Sequence, residues 1–484
     1  MTVDAYSTAL EIAAAIKNKD ISATEITQTY IDRIEQYDTE INAVVVRRFE
    51  AALKEAAEAD ARVQSGEALG PLHGVPMTIK ESYVLADTPS TWGIEAFADN
   101  MSSEDGLAVA RFKAAGATFL GKTNVPTDLA DYQSYNPIYG TTGNPWDTSR
   151  TPGGSSGGSS ASLAAGFAAL EAGSDIGGSI RNPAHFCGVY GHKPTYGIVP
   201  MQGHALVPNI PDADLAVCGP LARSAGDLSV ALDIMAGPAP REATGWRLEL
   251  PAGDISDLSK LRVAVWHTEA IAPVDTETRD RVQQVADTFA RLGAKVDDQA
   301  RPDFDFTAAH ANYQTLLTAV MSAALKGDLL AAAEERAARY TAGDQSAEAV
   351  SARAAVISHR DWIRTNTKRE KLRLAWQQFF EDYDLLICPQ MATPAFPHDQ
   401  SEPLAMREIQ VDGVAQAYFQ QSFWSGIVVN SYLPSTVFPT GLSKSGLPIG
   451  LQAVSAPYRD HRCIQTAGLI TEHLGGFEAP PHLL

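Results

Sequence analysis

Hydrophobic and polar positions near the start of the chain follow a helical period. In the segment "ISATEITQTYIDRIEQYD", apolar residues recur three or four positions apart, at Ile26, Tyr30, Ile34 and Tyr37. This spacing places them on one face of a helix. Ser22 followed by Glu25 forms a capping box, which marks the first turn of that helix. We therefore predict an N-terminal helical segment over residues 1–65, interrupted by the strand-like start of "INAVVVRRFEAALKEAAEADARVQSG".

Short apolar runs of strand length alternate with helical patterns along the rest of the chain. Predicted strands include "PMTIK", residues 118–120, residues 261–266, "YDLLICP" and two runs in the tail. Predicted helices include the alanine-rich residues 161–172, a helix ending at Gly293, and "HRCIQTAGLITEHL". Such alternation is typical of an α/β fold. We expect a single large domain over residues 1–484, with a central mixed β-sheet flanked by helices, and a variable, mostly helical decoration of the core over 235–380.

Composition and charge narrow the class of protein. The 484 residues are 45% hydrophobic and 20% charged, as in an ordinary soluble globular enzyme. Lys and Arg total 38 against 58 Asp and Glu, a net charge of −20, which disfavours non-specific binding to nucleic acid or to an anionic membrane. No apolar run reaches the roughly 18 residues of a membrane span. The start of the chain lacks a secretory pattern, so we expect a cytoplasmic protein.

The four cysteines lie far apart in the sequence, at Cys187, Cys218, Cys388 and Cys463. They form no C-x-x-C pair and have no histidine at ligand spacing, so we expect buried free thiols. No metal cluster and no cofactor fingerprint is present in the sequence. We expect neither a metal nor a cofactor.

Two short strings match catalytic motifs but lack the required context. Residues 116–123, "GATFLGKT", match the P-loop pattern. A P-loop lies between a strand and a helix, whereas here a helix precedes and residues 118–120 have strand character. Residues 153–157, "GGSSG", match the nucleophile elbow, which needs a hydrophobic strand before it. The preceding "NPWDTSRTP" is a poor strand, so both interpretations are disfavoured.

Two glycine–serine clusters, Gly153–Ser160 and Gly177–Ser179, flank the predicted alanine-rich helix. Glycines let several backbone N–H groups approach one point, and such a nest stabilises a developing oxyanion. A serine in the nest can attack a carbonyl if a base removes its proton. No histidine is placed for that role, but Lys80 lies in an otherwise uncharged, strand-like segment. A buried lysine loses much of its affinity for a proton and can serve as the base.

At this point the sequence resembles the amidase signature family. Residues 153–184 match the signature along their whole length, with Ser155 and Ser179 separated by 24 residues. Four outer motifs match in order: "LHGVPMTIKE", "GKTNVP", "GNPWD" and "GLPIGLQ". The resemblance spans about residues 20–470 and is weakest between 235 and 400. It implies the amidase signature fold and hydrolysis of amides.

The resemblance also implies roles for individual residues. Ser179 resembles the nucleophile, Ser155 the bridging serine held by a cis peptide to Gly154, and Lys80 the terminal base. The N–H groups of a four-residue loop would form the oxyanion hole: Ile176, Gly177, Gly178 and Ser179. Asp175 and Arg181 correspond to positions that brace the site, with a surface ion pair as the alternative. Ser156 either hydrogen-bonds into the relay or is simply a turn serine.

The substrate is less determined by the sequence. Candidate pocket residues are aromatic: Tyr132, Tyr135 and Trp92, with Phe423 and Trp424 as further candidates. We expect hydrolysis of small carboxamides or anilides, with esters or carbamates as further substrates. The alternative is the glutaminase subunit of a tRNA-dependent amidotransferase, which carries an acid in a Tyr-x-x-Asp element; here the matching stretch is "YFQQ", Tyr418–Gln421.

A non-enzymatic ligand-binding relative is a third possibility. The presence of Lys80, Ser155 and Ser179 together argues against it, because a binding protein has no use for a proton relay. The expected partner is a small-molecule amide, and the family resemblance admits a homodimer.

Overall fold

The computed structural model describes residues 3–208, 210–253, 255–344 and 346–484. Across these residues, eleven strands form one mixed sheet in the order β1-β3-β2-β6-β8-β7-β14-β15-β11-β9-β10. The strands β3, β2 and β6 run parallel to one another, as do β11, β9 and β10, and the intervening pairs are antiparallel. The prediction of an α/β fold with a central mixed sheet flanked by helices is confirmed.

The strands of the main sheet are β1 (Val44–Arg47), β2 (Pro76–Lys80), β3 (Thr118–Thr123), β6 (Leu170–Asp175), β7 (Tyr190–Lys193), β8 (Val217–Ala222), β9 (Arg262–Val265), β10 (Lys295–Asp297), β11 (Leu385–Pro389), β14 (Ser435–Leu442) and β15 (Pro448–Val454). Two small hairpins complete the set: β4 (Tyr135–Asn136) with β5 (Gly140–Thr141), and β12 (Glu408–Val411) with β13 (Val414–Ala417).

The helices are α1 (Ala9–Asn18), α2 (Ala23–Ile41), α3 (Phe49–Ser65), α4 (Leu107–Ala114), α5 (Gly157–Ala164), α6 (Arg181–Cys187), α7 (Ala225–Met235), α8 (Thr276–Arg291), α9 (Phe306–Met321), α10 (Gly327–Ala338), α11 (Ala347–Ala354), α12 (His359–Asp382), α13 (Ser422–Val429) and α14 (Asp460–Thr471). In the described part of the chain, none of them has the length and hydropathy needed to cross a bilayer.

Several local predictions agree with these elements. The capping box of Ser22 and Glu25 is present at the start of α2. Residues 118–123 form β3, a fully buried strand, so the string that resembles a P-loop is part of the sheet. The predicted helical segments 1–65 and 235–380 also contribute strands to the sheet, β1 from the first and β9 and β10 from the second. All four cysteines are free and buried, as expected.

The helix predicted over residues 161–172 is wrong in its second half. The helix α5 begins earlier, at Gly157, and ends at Ala164, while residues 170–175 form the strand β6. Alanine and leucine favour a helix locally, but β6 lies between β2 and β8 in the sheet and is buried throughout. Gly166 follows α5 with φ of 70°, a left-handed conformation that glycine adopts readily and that reverses the chain into the strand.

The helix α5 packs against the sheet with no room for a side chain at its second residue. A Cβ at position 158 would lie 2.3 Å from the backbone nitrogen and 2.8 Å from the carbonyl oxygen of Asn124. Asn124 directly follows β3, so this contact fixes the height of α5 above the sheet. The same helix begins immediately after Ser155 and Ser156, and its position therefore determines where these serines lie.

We expect Gly158→Ala to lower the free energy of unfolding by about 1–3 kcal/mol, because the added methyl group overpacks a rigid backbone contact. The measurement is a urea titration followed by tryptophan fluorescence. The matched control is Gly343→Ala, where a Cβ would have no neighbour within 4 Å. Equal stability of the two variants would contradict the close approach of α5 to the sheet.

Candidate active site

Two neighbouring parallel strands end at the same edge of the sheet. The strand β2 ends at Lys80 and β6 ends at Asp175, and every residue of both strands is buried. The carboxyl ends of parallel strands commonly hold binding and catalytic groups. Here the loop Ile176–Ser179 follows β6 directly, so it lies beside the end of β2.

The amine of Lys80 is buried among hydroxyl groups. Its Nζ lies 2.7 Å from Ser155 Oγ and 2.9 Å from Ser174 Oγ, and the residue has 0% exposure. No salt bridge in the described part of the chain includes this amine. Burial lowers the pKa of Lys80 to about 7, with the nearby Asp175 carboxylate opposing the shift. A large fraction of the amine is therefore neutral near pH 7 and able to accept a proton.

The position of Ser155 depends on a tight fit around Gly154. The peptide bond between these two residues is cis. A Cβ at position 154 would lie 2.4 Å from the carbonyl oxygen of Asp131 and 2.6 Å from that of Gln133, so only glycine fits. The Gly154 N–H donates to Asn182 Oδ1 at 3.0 Å. These contacts hold the serine segment against the start of α6.

The buried pair Asp175 and Arg181 organises the loop that carries Ser179. Both side chains are fully buried, and Arg181 Nη2 lies 3.0 Å from Asp175 Oδ1. The same carboxylate accepts hydrogen bonds from the N–H groups of Gly178 and Ile180, at 2.8 and 3.1 Å. Although burial opposes ionisation, the Arg181 guanidinium holds the pKa of the Asp175 carboxyl below its ordinary value. The pair is internal, so the alternative of a surface ion pair is wrong.

The oxyanion hole expected from the resemblance needs one correction. The N–H of Gly178 already donates to Asp175, so it is not available to a substrate. The N–H groups of Ile176, Gly177 and Ser179 donate to no group within the described residues. Ile176 and Gly177 are half-buried, and Ser179 retains 7% of its surface. Three free donors and one accessible hydroxyl therefore lie on the same short loop.

Ser155 and Ser179, the two serines of the expected relay, lie on segments that contact each other, but the described structure has no hydrogen bond between their hydroxyl groups. The Ser156 N–H donates to the carbonyl of Ser179 at 3.0 Å, which joins the two glycine–serine clusters. Catalytic hydrogen bonds are commonly loose without substrate. The Ser156 hydroxyl lies 3.4 Å from the carbonyl of Ser174, so it contacts β6 rather than the expected relay.

Tyr132, one of the expected pocket residues, lies near Asp175 at the end of β6. Burial and the nearby Asp175 carboxylate raise the pKa of its hydroxyl, and its ring packs 5.7 Å from that of Tyr418. Tyr135 instead accepts a hydrogen bond from Arg407 at 2.7 Å. Trp92 donates its indole N–H to the carbonyl of Ser82 at 3.2 Å and packs against the ring of His204.

The further candidates Phe423 and Trp424 are core residues. Both have 0% exposure and pack edge-to-face against Trp266. The Trp424 indole N–H is also satisfied, by the carbonyl of Ala272 at 3.0 Å. Their assignment to the pocket is wrong, because the apolar helix α13 is buried on every side.

A short hairpin is fastened beside Tyr132. Arg407, which precedes β12, donates to Asp131 Oδ2 at 2.7 Å with a fully buried side chain. Tyr418, which follows β13, donates its hydroxyl to the other oxygen of the same carboxylate. Both ends of the hairpin are thus held by Asp131. Its turn, Asp412 and Gly413, is exposed, and the Asp412 carboxylate accepts hydrogen bonds from the N–H and the hydroxyl of Thr276.

Sequence reasoning missed two side chains at the site. Ser174 contacts the Lys80 amine, and the alternation of side chains along β6 could have placed it had the strand been recognised. Tyr313 of α9 donates its hydroxyl to the carbonyl of Ile176 at 3.0 Å. No local signal identifies Tyr313, because it enters the site from the segment where the family resemblance is weakest.

Comparisons with known proteins identify the same family as the sequence motifs do. Residues 25–464 match the model of the Amidase family. The chain is 32% identical to the indoleacetamide hydrolase of Bradyrhizobium diazoefficiens, covering 96% of this chain and 86% of that protein. It is 32% identical to an acylamidase of Rhodococcus erythropolis, covering 96% and 94%. It is 31% identical to a glutamyl-tRNA(Gln) amidotransferase subunit of Alkaliphilus metalliredigens, covering 98% of each.

The fold is also found among solved structures. A bacterial aryl acylamidase of the amidase signature family superimposes with a TM-score of 0.81 at 25% identity, over 96% of both chains. The family model and the relatives above 30% identity each extend over nearly the whole sequence. This chain therefore belongs to the amidase family, the amidase signature enzymes.

Proposed function

We propose that this protein hydrolyses the C–N bond of small carboxamides or anilides through an acyl-enzyme formed on Ser179. The observation that carries the proposal is the buried amine of Lys80, which forms no ion pair among the described residues and lies 2.7 Å from Ser155 Oγ, at the edge where the Ser179 loop begins. The relatives named as an indoleacetamide hydrolase and an acylamidase support amide hydrolysis. We place the reaction in the cytoplasm, as expected from the sequence.

The first half of the reaction forms the acyl-enzyme. Neutral Lys80 accepts a proton from Ser155, which in turn accepts the proton of Ser179. The Ser179 oxygen attacks the amide carbon, and the carbonyl oxygen becomes an oxyanion. The free N–H groups of Ile176, Gly177 and Ser179 stabilise that charge.

The second half releases both products. When the tetrahedral intermediate collapses, the C–N bond breaks and the proton held on Lys80 returns through Ser155 to the leaving amine. Water, deprotonated by the same relay, then attacks the ester carbon and frees the acid and Ser179. The Asp175–Arg181 pair takes no proton in this scheme; it holds the loop through the N–H groups of Gly178 and Ile180.

The site favours uncharged substrates. Asp175 and Arg181 are paired with each other, and Asp131 is paired with Arg407. The aromatic rings of Tyr132, Tyr418 and Phe419 pack against one another, and Tyr132 lies near Asp175. An apolar or aromatic group on the substrate therefore fits these surroundings better than an ionised amino acid.

The alternative function, a glutaminase subunit, has support from the relative in Alkaliphilus metalliredigens. The stretch Tyr418–Gln421 contains no acid that could hold the amino group of glutamine. The side-chain oxygen of Gln421 accepts the N–H of Ala392 at 2.8 Å, so this residue is engaged within the protein. We therefore rank the stand-alone amidase first.

We expect Ser179→Ala to lower kcat by at least about 10³-fold, because it removes the attacking oxygen and leaves only binding and the oxyanion donors. Lys80→Ala should cause a comparable loss. The measurement is aniline release from acetanilide by the purified variants. The matched control is Ser160→Ala on α5, a fully buried serine whose hydroxyl makes no hydrogen bond among the described residues. Near-native turnover in Ser179→Ala would contradict its role as the nucleophile, and near-native turnover in Lys80→Ala would contradict its role as the base.

The rate should depend on pH through the amine of Lys80. Since its pKa is lowered to about 7, the fraction of neutral amine rises with pH, and kcat/KM should increase through pH 7 and level off above about pH 8. Burial also lowers the pKa of Lys193 to about 7. The profile is therefore measured in wild type and in Lys193→Met. If the rise of kcat/KM with pH disappears in Lys193→Met, the titrating group is Lys193 rather than Lys80. A wild-type kcat/KM that does not change with pH would contradict a lysine base.

A panel of amides separates the two candidate functions. We expect the purified chain alone to release ammonia or an aniline from aliphatic and aryl amides, with kcat/KM at least about 10-fold higher for neutral aryl amides than for glutamine. The stretch Tyr418–Gln421 contains no carboxylate, so the ammonium group of a bound glutamine would lack the partner that it needs there. The measurement is product release by chromatography. Activity on glutamine alone, or only after a partner protein is added, would reverse the ranking.

A further inference from the structure

Tyr313 reaches the catalytic loop from a distant part of the chain. It lies on α9, within the helical segment between β10 and β11, and its hydroxyl donates to the carbonyl oxygen of Ile176 at 3.0 Å. The side chain has 0% exposure. It therefore contacts the loop backbone from inside the protein, on the side away from solvent.

The ring of Tyr313 has little freedom to turn away from the loop. A Cβ at position 426 of α13 would lie 2.4 Å from its Cδ1 and 2.6 Å from its Cε1, so the ring rests directly on the backbone of Gly426. Leu316 and Val429 belong to the same buried cluster. This packing fixes the direction in which the hydroxyl points.

A peptide unit is planar and trans, so its C=O and N–H point in opposite directions. The carbonyl of Ile176 and the N–H of Gly177 belong to one such unit. Because Tyr313 holds the carbonyl inward, the Gly177 N–H is directed outward. That N–H has no acceptor within the described residues, and Gly177 is half-buried. Donation to the carbonyl also polarises the unit and strengthens its N–H as a donor.

We propose that Tyr313 is a positioning residue of the oxyanion hole, which aims the Gly177 N–H at the substrate oxyanion by holding the other end of the same peptide. The proposal rests on the proposed amide hydrolysis and deepens it. It gives the helical segment that contains α9 a direct part in the reaction. The benefit of an aimed donor appears when charge develops on the oxygen, so Tyr313 should affect kcat more than KM.

The first test is Tyr313→Phe, which removes only the hydroxyl. We expect kcat for acetanilide to fall about 10-fold with KM changed less than about 2-fold; complete loss of an oxyanion donor costs about 10²–10³-fold. The matched control is Tyr190→Phe, a buried tyrosine on β7 whose hydroxyl bonds to Thr471 instead. It should retain wild-type kcat. An unchanged kcat in Tyr313→Phe, or an effect on KM alone, would overturn the proposal.

The second measurement uses 2,2,2-trifluoroacetophenone as an inhibitor. The Ser179 oxygen adds to the ketone carbon, the serine proton passes to the Ser155–Lys80 relay, and the ketone oxygen becomes the oxyanion. Tyr313→Phe should weaken this inhibitor by about the same factor as it lowers kcat, since both depend on the aimed N–H. A purely structural role would lower thermal stability and leave the affinity of the folded enzyme unchanged, which would also overturn the proposal.

A second variant keeps the test valid if Tyr313→Phe folds poorly. Gly426→Ala should displace the Tyr313 ring and lower kcat without touching the loop directly. An unchanged kcat in a folded Gly426→Ala variant would therefore count against the proposal by itself. Where Tyr313→Phe does fold, adding Gly426→Ala to it should have little further effect on kcat, because the hydroxyl is already absent. Additive effects would contradict the proposal. Ser179→Ala separates a failure of the proposed mechanism from a failure of the role of Tyr313. Full activity in Ser179→Ala would refute the proposed mechanism, whereas wild-type kcat in Tyr313→Phe would refute only the role of Tyr313.

Discussion

The buried amine of Lys80 is the constraint around which the rest of the site is arranged. A charged ammonium in this position would lack a carboxylate partner, since no ion pair of the described chain includes it. Withdrawal from water shifts its pKa to about 7, and two hydroxyl groups, from Ser155 and Ser174, surround it. The strand β2 lies between β3 and β6 in the sheet, so the amine cannot escape to solvent without disrupting the core. An amine that is largely neutral near physiological pH follows directly from this burial.

The loop beside that amine is held by charges that do not react. Asp175 and Arg181 satisfy each other and the backbone around Gly178. Tyr313 of α9 contacts the same loop and its ring rests on Gly426 of α13, so helices remote in sequence complete the support. In the proposed mechanism the reaction falls to Lys80, Ser155 and Ser179, while the groups around them hold the loop in place.

Much of the fold and the approach of Lys80 to Ser155 could be predicted from the sequence, for identifiable physical reasons; the catalytic roles of these residues and of Ser179 stay predictions. The capping box of Ser22 and the apolar runs of β2, β3, β9 and β11 are local signals that the structure retains. Lys80 is conspicuous because a charged residue in an uncharged strand-like segment is unusual. The strand β6 has the local composition of a helix, and its place between two other strands is not encoded in that composition. The occupied N–H of Gly178 and the contact of Tyr313 depend on how the loop folds back, which no spacing reveals.

The anchoring of the β12–β13 hairpin has a consequence for where the sequence can vary. Both of its ends are fastened to Asp131, next to Tyr132, and its tip is open to solvent. Length and sequence at the tip can therefore drift without loosening the anchors, as is usual for exposed turns. Variation in this turn would alter its contact with Thr276 of α8 and leave the two anchors on Asp131 unchanged. The segment around Tyr132 is therefore insulated from changes at the turn, because its own anchors lie at the opposite end of the hairpin.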